Sequence, residues 1–582
     1  FFLPGFASSR LRVWRKHTCS YGPSYGLGDD LWLQTSQVLL ARQCFLDCMS
    51  NIDPTQQTDM KTGCKARPDE GLDAITELDP GYITGPLSNV WKDLVEMYAE
   101  LGFEPGRTMF AAPYDFRLPM ARMSERDAYF TTLKNAIQTA GDMYHQAHPT
   151  ERMAGPVVII AHSHGNTVFK YFLEWLKDEV GVRHAEEWIE KHIGVYMAIG
   201  APLLGAVEPV KAVLSGVTFG LPISEPQVRN MSSQWASSLG MLPVVPEIPH
   251  PQHLRAGNGY SYPANYAQVT LPDGVKQRSQ PAVLPVRLRG LCLRVVHDLP
   301  PSSNDVADGT MFKELADLDP AFDVMAAQLD KFYTNDPVLN TLTPWERPPI
   351  RTVIAAYGIN RKTPIGYRYS VDPSQYSGSK FTVEDTGAWT MLMRAQRGGG
   401  SADHPFVQSG DGTVPYFSLS WAHTWLGDGA VNISQVPSTE EFTADDVVEC
   451  LNCDLGEWQQ QHDGLDKNTY FQTSHLDSRN KLWETQVWEF DNLDHRKVLA
   501  SAPFVNELRA SQYRLRNQLP TRAHIARTLV AVHPPSSDEG CYWSYSDMAC
   551  AWPAHCEYRY KFGDLRLSQS CRLRASTKHD EL

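Results

Sequence analysis

The sequence lacks a hydrophobic segment long enough to cross a membrane. A spanning helix needs about 20 predominantly apolar residues. The most apolar stretch, PAVLPVRLRGLCLRVV at 281–296, is interrupted by three arginines and two prolines. The chain begins with Phe1 instead of methionine, which leaves open that a signal peptide or an anchor preceded it.

Positive charge is also scarce. The 582 residues include 53 Lys and Arg against 67 Asp and Glu, which gives a net charge of −14. Nucleic-acid binding depends on a basic surface that neutralises phosphates, so we expect no nucleic-acid partner. Contact with a membrane surface is not excluded, because apolar side chains alone can insert into it.

Closely spaced cysteine pairs of the kind that bind zinc are missing from the C-terminal region. The wide spacing of the four cysteines there favours disulfides over a metal site. These four are Cys541, Cys550, Cys556 and Cys571. Cys450 and Cys453 do form a Cys-x-x-Cys pair, but no thioredoxin-like pattern surrounds it, and we interpret it as structural. We predict no metal site.

The C-terminus carries the clearest localisation signal. The chain ends in His579-Asp580-Glu581-Leu582, the retrieval signal of endoplasmic reticulum proteins. We therefore predict a protein of the endoplasmic reticulum lumen that binds the retrieval receptor through these residues. Because the lumen is oxidising, most of the 11 cysteines should be paired, with at least one left free. Two sequons, Asn230-Met-Ser and Asn432-Ile-Ser, are candidate glycosylation sites.

Strand-like and helix-like segments alternate along much of the chain. Such alternation predicts a mostly parallel sheet with helices on both faces, an α/β fold. The predicted strands are 108–116, 156–162, 193–202, 351–359 and 430–436, and the predicted helices are 126–146 and 167–180. The alternation is absent from 203–350, which predicts a cap inserted into the sheet domain. It is also absent from 358–408, which we interpret as a second, loop-rich insertion.

The pentapeptide Ala161-His-Ser163-His-Gly165 lies between an apolar run and an amphipathic helix. It fits the nucleophile elbow Gly-x-Ser-x-Gly, with alanine at the first position. The tight turn of an elbow requires small residues two positions before and after the serine, and Ala161 and Gly165 are small. Ser163 is therefore a candidate nucleophile. The alternative is that Ser163 only caps the N-terminus of a crossover helix.

A serine nucleophile needs a general base and an acid that orients the base. In proteins with this elbow the chain order is Ser, acid, His. Asp411 lies in the glycine-containing QSGDGTVPYF, and His495 lies in a loop after the strand-like VWEF. We predict Asp411 as the acid and His495 as the base. The alternatives are a turn aspartate and a surface histidine.

The oxyanion formed in such a reaction needs two backbone N–H donors. One should be the N–H of His164, directly after the nucleophile, and the other comes from an early strand-to-loop turn. The N-terminal FFLPGF ends a strand-like run and turns, so the N–H of Phe6 is the second candidate. Each donor stabilises the transition state by about 3 kcal/mol. We treat the side chains of His162 and His164 as supporting residues.

Several longer segments resemble one enzyme family. They are LPGFASSRL, CKARPDEGLDAITELDPGYITGP, APYDFRLP, AHSHGN, GAPLLGAVE, LTPWERPPI, GDGTVPYFSLSW and LDHRKVL. On these the chain resembles the lecithin:cholesterol acyltransferase and phospholipid:diacylglycerol acyltransferase family. The C-terminal CEYRYKFGDLRLSQSCRLR resembles the plant phospholipid:sterol acyltransferases in particular. The resemblance implies an α/β-hydrolase fold with lid and cap insertions, and it places the triad on Ser163, Asp411 and His495.

The resemblance also assigns roles to residues of the N-terminal segment. It implies a disulfide between Cys19 and Cys44 that closes a lid-bearing segment, and Cys48 and Cys64 could form a second. Trp32 lies inside the first loop and is a candidate for contact with the membrane or with an acyl chain. The alternative for Trp32 is a core aromatic side chain.

Three further residues can be compared with family motifs. Asp115 and Arg117 in APYDFRLP match one of them, and we expect a structural ion pair there. His164 departs from the family, which commonly has methionine after the nucleophile. Only the backbone N–H of that residue is needed, so the departure does not argue against activity.

The resemblance and the segment pattern together predict six regions. Residues 1–18 begin the hydrolase core and 78–202 continue it with the elbow, while 350–510 carry the catalytic Asp and His. The other regions are the lid and membrane-contact segment 19–77, the cap 203–349, and the Cys-rich tail 511–582 that ends in the retrieval signal.

The resemblance implies a phospholipid:sterol O-acyltransferase. Such an enzyme moves a fatty acyl group from a membrane phospholipid to a sterol 3-hydroxyl through an acyl-serine, without acyl-CoA and without a cofactor. With diacylglycerol or water as acceptor, the same chemistry makes a phospholipid:diacylglycerol acyltransferase or a phospholipase A. The alternative of another class is an inactive lipid-binding protein of the lumen. Peripheral contact with the membrane is expected in each case.

Overall fold

The structure is a computed structural model that describes the greater part of the N-terminal half and selected segments of the rest. The longer described ranges are 1–80, 88–147, 155–243, 319–341, 346–359, 410–429 and 468–508, the last without 478 and 480. Shorter described pieces are 149, 267–270, 294–296, 312, 316, 361, 363–371, 381–383, 389–391, 431–432, 449–450, 543–544, 549–550, 556–560 and 569–573.

The strands are numbered in chain order. They are β1 (Phe2–Leu3), β2 (Leu11–Arg15), β3 (Asp30–Trp32), β4 (Lys65–Pro68), β5 (Val157–His162), β6 (Ile193–Ile199), β7 (Ala267–Thr270), β8 (Arg294–Val296), β9 (Thr352–Ile359), β10 (Thr363–Val371), β11 (Phe381–Val383), β12 (Trp389–Met391), β13 (Val431–Asn432), β14 (Glu449–Cys450), β15 (Thr469–Leu476), β16 (Leu482–Asp491), β17 (Trp543–Ser544), β18 (Ala549–Cys550), β19 (Cys556–Tyr560) and β20 (Gln569–Leu573).

The α-helices are numbered in the same way. They are α1 (Thr35–Leu40), α2 (Arg42–Met49), α3 (Asp73–Thr76), α4 (Lys92–Glu100), α5 (Met120–Asp127), α6 (Tyr129–Ala147), α7 (His164–Val180), α8 (Val182–His192), α9 (Glu208–Leu214), α10 (Glu225–Ser232), α11 (Ala321–Leu329), α12 (Pro337–Thr341) and α13 (Tyr416–Leu419). Helical turns of other types are Ala236–Met241, Asp330–Thr334, Ser420–Gly429 and Val498–Ala500. In the described part of the chain, no helix is long and apolar enough to cross a membrane.

A seven-stranded sheet forms the centre of the fold. Its strand order is β1-β5-β6-β9-β16-β15-β13. The first five strands run parallel, and β15 and β13 extend the sheet as antiparallel strands. This is the mostly parallel α/β sheet that the alternating segments predicted.

Both faces of this sheet are buried, which explains why its parallel strands are almost continuous apolar runs. Alternate side chains of a strand point to opposite faces. In β5, Ile159 and Ala161 belong to one hydrophobic cluster and Ile160 belongs to the other. Helices α6 and α7 contribute to the first cluster, and α4 contributes to the second.

A smaller antiparallel sheet, in the order β3-β2-β4, stands at the start of the chain. Two disulfides link the segments next to this sheet. One joins Cys19 to Cys44, and the other joins Cys48 to Cys64. Cys44 and Cys48 both lie on α2, so this short helix is attached at both ends to the segments that flank β2 and β4. Both expected disulfides are therefore present.

The segment predicted as a cap packs on this disulfide-closed segment through hydrogen bonds to backbone atoms. The indole Nε1 of Trp235 donates to the carbonyl of Met49 at 2.9 Å. The buried Gln57 donates to the carbonyl of Gln234 at 2.7 Å and accepts from the N–H of Ala236 at 3.0 Å. The two segments predicted as lid and cap thus share one interface.

Three predicted elements are different in the structure. Residues 108–116 form no strand and make only isolated bridges, at Met109 and Ala111. The helix predicted over 126–146 is divided into α5 and α6, because Ala128 has the left-handed φ of 49° that ends a helix. The excursion 358–408, predicted as loop, contains β10, β11 and β12, which join β7, β8 and β14 in a second sheet.

Candidate active site

Ser163 lies at the sharp turn between β5 and α7. Its φ of 53° and ψ of −127° are unusual for a residue with a side chain. Ser163 occupies the N-cap position of α7, yet its side chain makes no capping hydrogen bond. The hydroxyl instead points to His495, with Oγ 2.9 Å from the ring Nε2. The geometry therefore matches the elbow and not the alternative of a simple helix cap.

The turn at Gly5 leaves no room for a side chain beside the serine. A Cβ atom at position 5 would lie 2.9 Å from Cβ of Ser163 and 3.3 Å from Nδ1 of His162. Glycine at this position lets the N-terminal turn approach the elbow directly. The chain segment that carries Phe6 is in this way held next to the candidate nucleophile.

The side chain of Asp411 is buried and fixed by its own turn. Its Oδ1 accepts the N–H groups of Thr413 at 3.1 Å and Val414 at 2.8 Å. Its Oδ2 lies 2.6 Å from Nδ1 of His495. The glycine-containing loop thus supplies two backbone donors that orient one carboxylate oxygen and leave the other to bind the imidazole.

His495 lies between Ser163 and Asp411. Burial alone would lower the pKa of His495, but the charge of Asp411 and its hydrogen bond outweigh burial, and the pKa is raised above its usual value. The backbone N–H of His495 also donates to the carbonyl of Asp411 at 2.8 Å. A buried imidazole that contacts a serine on one side and a carboxylate on the other can remove the serine proton and return it.

Ser163, Asp411 and His495 lie close together because each is near the carboxyl end of a parallel strand of the central sheet. Ser163 follows β5 and His495 follows β16, while Asp411 packs beside Gly358 in β9, where an added Cβ would be 3.2 Å from Cβ of Asp411. The carboxyl ends of parallel strands lie at one edge of a sheet, where α/β proteins place their functional sites.

Comparison with known proteins identifies the family. The family model for lecithin:cholesterol acyltransferase matches residues 27–454. The chain belongs to the lecithin:cholesterol acyltransferase family. A phospholipid–sterol O-acyltransferase of Arabidopsis thaliana is 38% identical over 98% of this chain and 91% of its own length. The resemblance seen in the sequence is thereby confirmed.

Other relatives in this family are more distant. A phospholipid:diacylglycerol acyltransferase of Schizosaccharomyces pombe is 31% identical over 37% of this chain and 31% of its own length. A phosphatidylcholine-sterol acyltransferase of Gallus gallus is 28% identical over 34% of this chain and 44% of its own length. A solved structure described as "The crystal structure of Tle4-Tli4 complex" covers 73% of this chain and 89% of its own, with 11% identity and a TM-score of 0.33, too low to indicate a shared fold.

The two predicted oxyanion donors lie in adjacent segments of this acyltransferase-family chain. His164 is the first residue of α7, where backbone N–H groups and the helix dipole favour negative charge. The ring of Phe6 lies 6.3 Å from the ring of His164. In the part of the chain that the structure describes, the N–H of Phe6 makes no hydrogen bond. That the two N–H groups bind one oxyanion stays a prediction.

Trp32 is a buried core aromatic residue. Its side chain is 2% exposed, its Nε1 donates to the carbonyl of Ala7 at 2.8 Å, and its ring packs against Phe116 and Phe219. The prediction of membrane contact is wrong for this conformation, because the indole has no access to a surface. The alternative that we kept open for Trp32 is the observed one, and contact with an acyl chain stays a prediction.

Asp115 and Arg117 form the expected ion pair, which is buried and includes a third residue. Asp115 contacts the guanidinium groups of Arg117 at 2.7 Å and Arg126 at 2.8 Å. Burial alone would raise the pKa of Asp115, but these two cations outweigh it and hold that pKa well below its usual value. Arg117 also donates to the carbonyl of Met49 at 3.3 Å, so the pair attaches α2 to the core.

The other predicted sites can be placed only in part. Asn230 is exposed on α10, which suits a glycan. Asn432 lies in β13 and pairs with Phe471 through the backbone. Cys450, Cys550, Cys556 and Cys571 lie in strands whose side chains are outside the described part, and Cys453, Cys541 and His579–Leu582 are also outside it. Among the described residues, no group of three or more His, Cys, Asp or Glu side chains is placed to hold a metal ion.

Sequence reasoning missed an exposed apolar surface on the disulfide-closed segment. Tyr21, Leu39 and Leu40 are 88%, 61% and 69% exposed. Gly22 lies against the backbone of Leu40, where an added Cβ would be 2.7 Å from the Leu40 carbonyl oxygen, so the three residues belong to neighbouring segments of the backbone. The consecutive leucines were a signal, but exposure of an apolar pair cannot be recognised from composition alone.

Proposed function

We propose that this protein is a phospholipid:sterol O-acyltransferase that acts through an acyl-serine intermediate on Ser163. The observation that carries the proposal is the unbroken series of contacts from Ser163 Oγ to His495 Nε2, at 2.9 Å, and from His495 Nδ1 to Asp411 Oδ2, at 2.6 Å. It occurs in a chain of the lecithin:cholesterol acyltransferase family, and a relative named for phospholipid–sterol acyl transfer aligns over nearly the whole length.

In the first step Ser163 attacks the carbonyl carbon of a phospholipid fatty-acyl ester. His495 takes the hydroxyl proton on Nε2 while the new bond between Oγ and carbon forms. The developing oxyanion accepts from the N–H groups of Phe6 and His164. When the ester bond breaks, the glycerol oxygen leaves with the proton from His495, which gives a lysophospholipid and an acyl-serine.

In the second step a sterol replaces the lysophospholipid. Its 3-hydroxyl gives a proton to His495 and attacks the acyl-serine carbonyl, and His495 then returns the proton to Ser163. A sterol ester leaves and the free enzyme is restored. Asp411 stabilises the imidazolium in both steps, because its carboxylate contacts Nδ1 and opposes the cost of charging a buried ring.

The exposed apolar surface formed by Tyr21, Leu39 and Leu40 supports a membrane-bound substrate. Apolar side chains that protrude from a folded domain can insert into the interface of a bilayer. The C-terminal His579–Leu582 supports residence in the endoplasmic reticulum lumen and binding of the retrieval receptor. The proposed enzyme is thus a luminal protein that binds the bilayer peripherally and takes both substrates from it.

Product analysis tests the proposal. Purified protein is given liposomes of acyl-labelled phospholipid that contain both a free sterol and diacylglycerol. Ser163→Ala is assayed in parallel, and Ser124→Ala, on α5 and outside the triad, is the matched control. We expect labelled sterol ester from the wild type and from Ser124→Ala, and none from Ser163→Ala.

Other products would change the assignment in distinct ways. Labelled triacylglycerol or free fatty acid in place of sterol ester would keep the triad and reject the sterol as acceptor. Labelled sterol ester from Ser163→Ala would reject the nucleophile. A wild type that forms no product and does not react with a fluorophosphonate probe would favour the inactive lipid-binding protein.

A further inference from the structure

His162, the residue before the nucleophile, contacts the catalytic base and has no role in the mechanism described so far. It is the last residue of β5 and is buried. Its ring Nε2 lies 2.9 Å from the backbone carbonyl oxygen of His495. The two imidazole rings lie 5.0 Å apart and are tilted by 37°.

The chemistry of this contact determines the tautomer of His162. A carbonyl oxygen only accepts hydrogen bonds, so Nε2 of His162 must carry the proton and donate it. The other nitrogen, Nδ1, is buried and has no partner in the described part of the chain. It faces Gly5, where an added Cβ would be 3.3 Å away. A proton on Nδ1 would therefore be an unpaired buried charge, which is unfavourable.

His162 is for this reason a neutral donor. Burial, and in second place the nearby charge of His495, lower the pKa of His162 to about 3. A neutral neighbour is required at this distance, because His495 becomes positively charged each time it accepts the proton of Ser163. Two charged rings 5.0 Å apart would oppose that step.

The backbone of His495 depends on such contacts, because this residue lies in a turn between β16 and the helical turn at Val498–Ala500. Its N–H donates to the carbonyl of Asp411 at 2.8 Å, and its carbonyl accepts from His162. The first contact ties the base to the acid. The second ties His495 to His162, the residue covalently bonded to Ser163. The distance between Ser163 Oγ and His495 Nε2 is therefore restrained by this backbone contact as well as by their own hydrogen bond.

We propose that His162 is a positioning residue, whose Nε2–H holds the backbone of His495 so that the imidazole stays within hydrogen-bond distance of Ser163. This inference rests on the proposed triad but not on the acceptor, since the first step is the same for sterol, diacylglycerol and water. A displacement of the base by about 1 Å is enough to slow a reaction by roughly 100-fold. The contact should therefore affect the rate constant of serine acylation and not the affinity for the bilayer.

The test compares three substitutions of His162 with one control. His162→Phe keeps a ring and removes the N–H donor. His162→Gln carries an amide N–H that extends nearly as far as Nε2 of His162. His162→Asn also carries an amide N–H, but its side chain is too short to reach the carbonyl of His495. His184→Phe, at an exposed histidine on α8, is the control for the substitution itself. The rate of Ser163 labelling by a soluble fluorophosphonate is measured for each as a function of pH, together with thermal unfolding and binding to liposomes.

We expect labelling to be roughly 10- to 100-fold slower for His162→Phe and His162→Asn, and to recover by most of that factor for His162→Gln. Liposome binding and the midpoint pH of labelling should stay as in the wild type, because no charge is changed. An equal loss of labelling rate in His162→Gln and His162→Phe would overturn the proposal, because the packing of the imidazole would then matter and its donated hydrogen bond would not. Labelling of His162→Phe within twofold of the wild type would overturn it as well.

The experiment separates this inference from the proposed function. The labelling reaction needs only Ser163 and its base, so it gives a result even when the acceptor proves not to be a sterol. If His162→Phe does not fold, the comparison of His162→Asn with His162→Gln decides the same question, because both are amides that differ in reach. A wild type that is not labelled at all would reject the triad itself.

Discussion

Gly165 packs so closely against Leu3 that a Cβ atom at position 165 would lie 2.5 Å from the Leu3 carbonyl oxygen. The same atom would lie 2.6 Å from the carbonyl oxygen of Pro4. These oxygens belong to the backbone and cannot rotate away as a side chain does. The contact fixes the first turn of α7 against the end of β1, and so fixes Ser163 against the turn that carries Phe6.

Gly165→Ala should therefore separate the elbow from the N-terminal turn. We expect labelling of Ser163 by a fluorophosphonate to slow by roughly 100-fold, because the N–H of Phe6 moves relative to the oxyanion position. Gly102→Ala is the control, since Gly102 has a φ of 89° but open space around it, and it should lose stability without loss of labelling. Equal labelling by the two variants would contradict the close-packing argument.

Replacement of the acid should change both the rate and its dependence on pH. In Asp411→Asn we expect turnover to fall by roughly 10⁴-fold, as for the corresponding change in serine proteases. Only the neutral imidazole can act as the base. Burial lowers the pKa of His495, and the charge of Asp411 and its hydrogen bond outweigh burial and raise it. Without that charge, the low-pH limb of the activity profile should move to lower pH.

The measurement is the residual rate of Asp411→Asn across the acid range, compared with the wild type and with Asp494→Asn. Asp494 is the carboxylate next to His495 in sequence, and it pairs with Arg361 at 3.5 Å. We expect Asp494→Asn to keep the position of the limb. If the low-pH limb moved equally in both variants, the pKa of His495 would be set by general surface charge and not by its contact with Asp411.

Removal of the exposed leucines should weaken binding to bilayers. Burial of one leucine side chain contributes about 1.5–3 kcal/mol, so Leu39→Ser combined with Leu40→Ser should reduce partition into liposomes at least roughly 10-fold. Sedimentation with liposomes measures this. Labelling of Ser163 in solution should not change. Leu482→Ser, at another exposed leucine, serves as the control, and an unchanged partition of the double variant would show that this surface does not face the membrane.

Asp115→Asn should destabilise the fold, because it leaves Arg117 buried without its carboxylate, while Arg126 keeps its contact with Asp127 at 2.7 Å. Breaking a buried ion pair in this way costs about 3–5 kcal/mol, measured as the free energy of unfolding by denaturant. The exposed pair of Glu104 and Arg107 gives the comparison, and Glu104→Gln should cost less than about 1 kcal/mol. Similar losses in both variants would contradict a special role for the buried pair.

The same carboxylate predicts how stability changes with pH. The pKa of Asp115 is depressed in the folded state, where burial opposes the effect and Arg117 and Arg126 outweigh it. Its contribution is therefore complete above the ordinary aspartate pKa of about 4 and is lost as the pH falls toward the depressed value. We expect the stability difference between the wild type and Asp115→Asn to shrink on acidification. A constant difference would show that Asp115 is not charged in the fold.

The parallel core and the proximity of Ser163, Asp411 and His495 could be predicted from sequence because local rules and fold rules agreed there. Apolar runs gave β5, β6 and β9 to within a few residues at each end. The helix after Ser163 begins three residues earlier than the predicted 167, because the elbow passes directly into α7. Chain order and glycine-containing context favoured Asp411 and His495, and the family resemblance pointed to the same two residues.

The features that were not predicted depend on tertiary contacts that no local pattern reveals. For Trp32 the sequence left surface contact and core packing both open, and only the structure shows that its ring packs against Phe116 and Phe219 and that Ala7 accepts its N–H. Ala128 ends a helix although alanine is the best helix former. The contact of His162 with His495 joins residues 333 positions apart, and only the arrangement of β5 beside the end of β16 brings them together.

The parallel strands β1, β5, β6, β9 and β16 stand side by side in the order in which the ribosome makes them. Each later strand can add to the free edge left by the one before, so the sheet can grow outward while the chain emerges. The elbow with Ser163 belongs to the early strands, whereas His495 follows the last parallel one. A nascent chain therefore contains Ser163 long before it contains His495, and the proposed acyl transfer can begin only after the last parallel strand has been made.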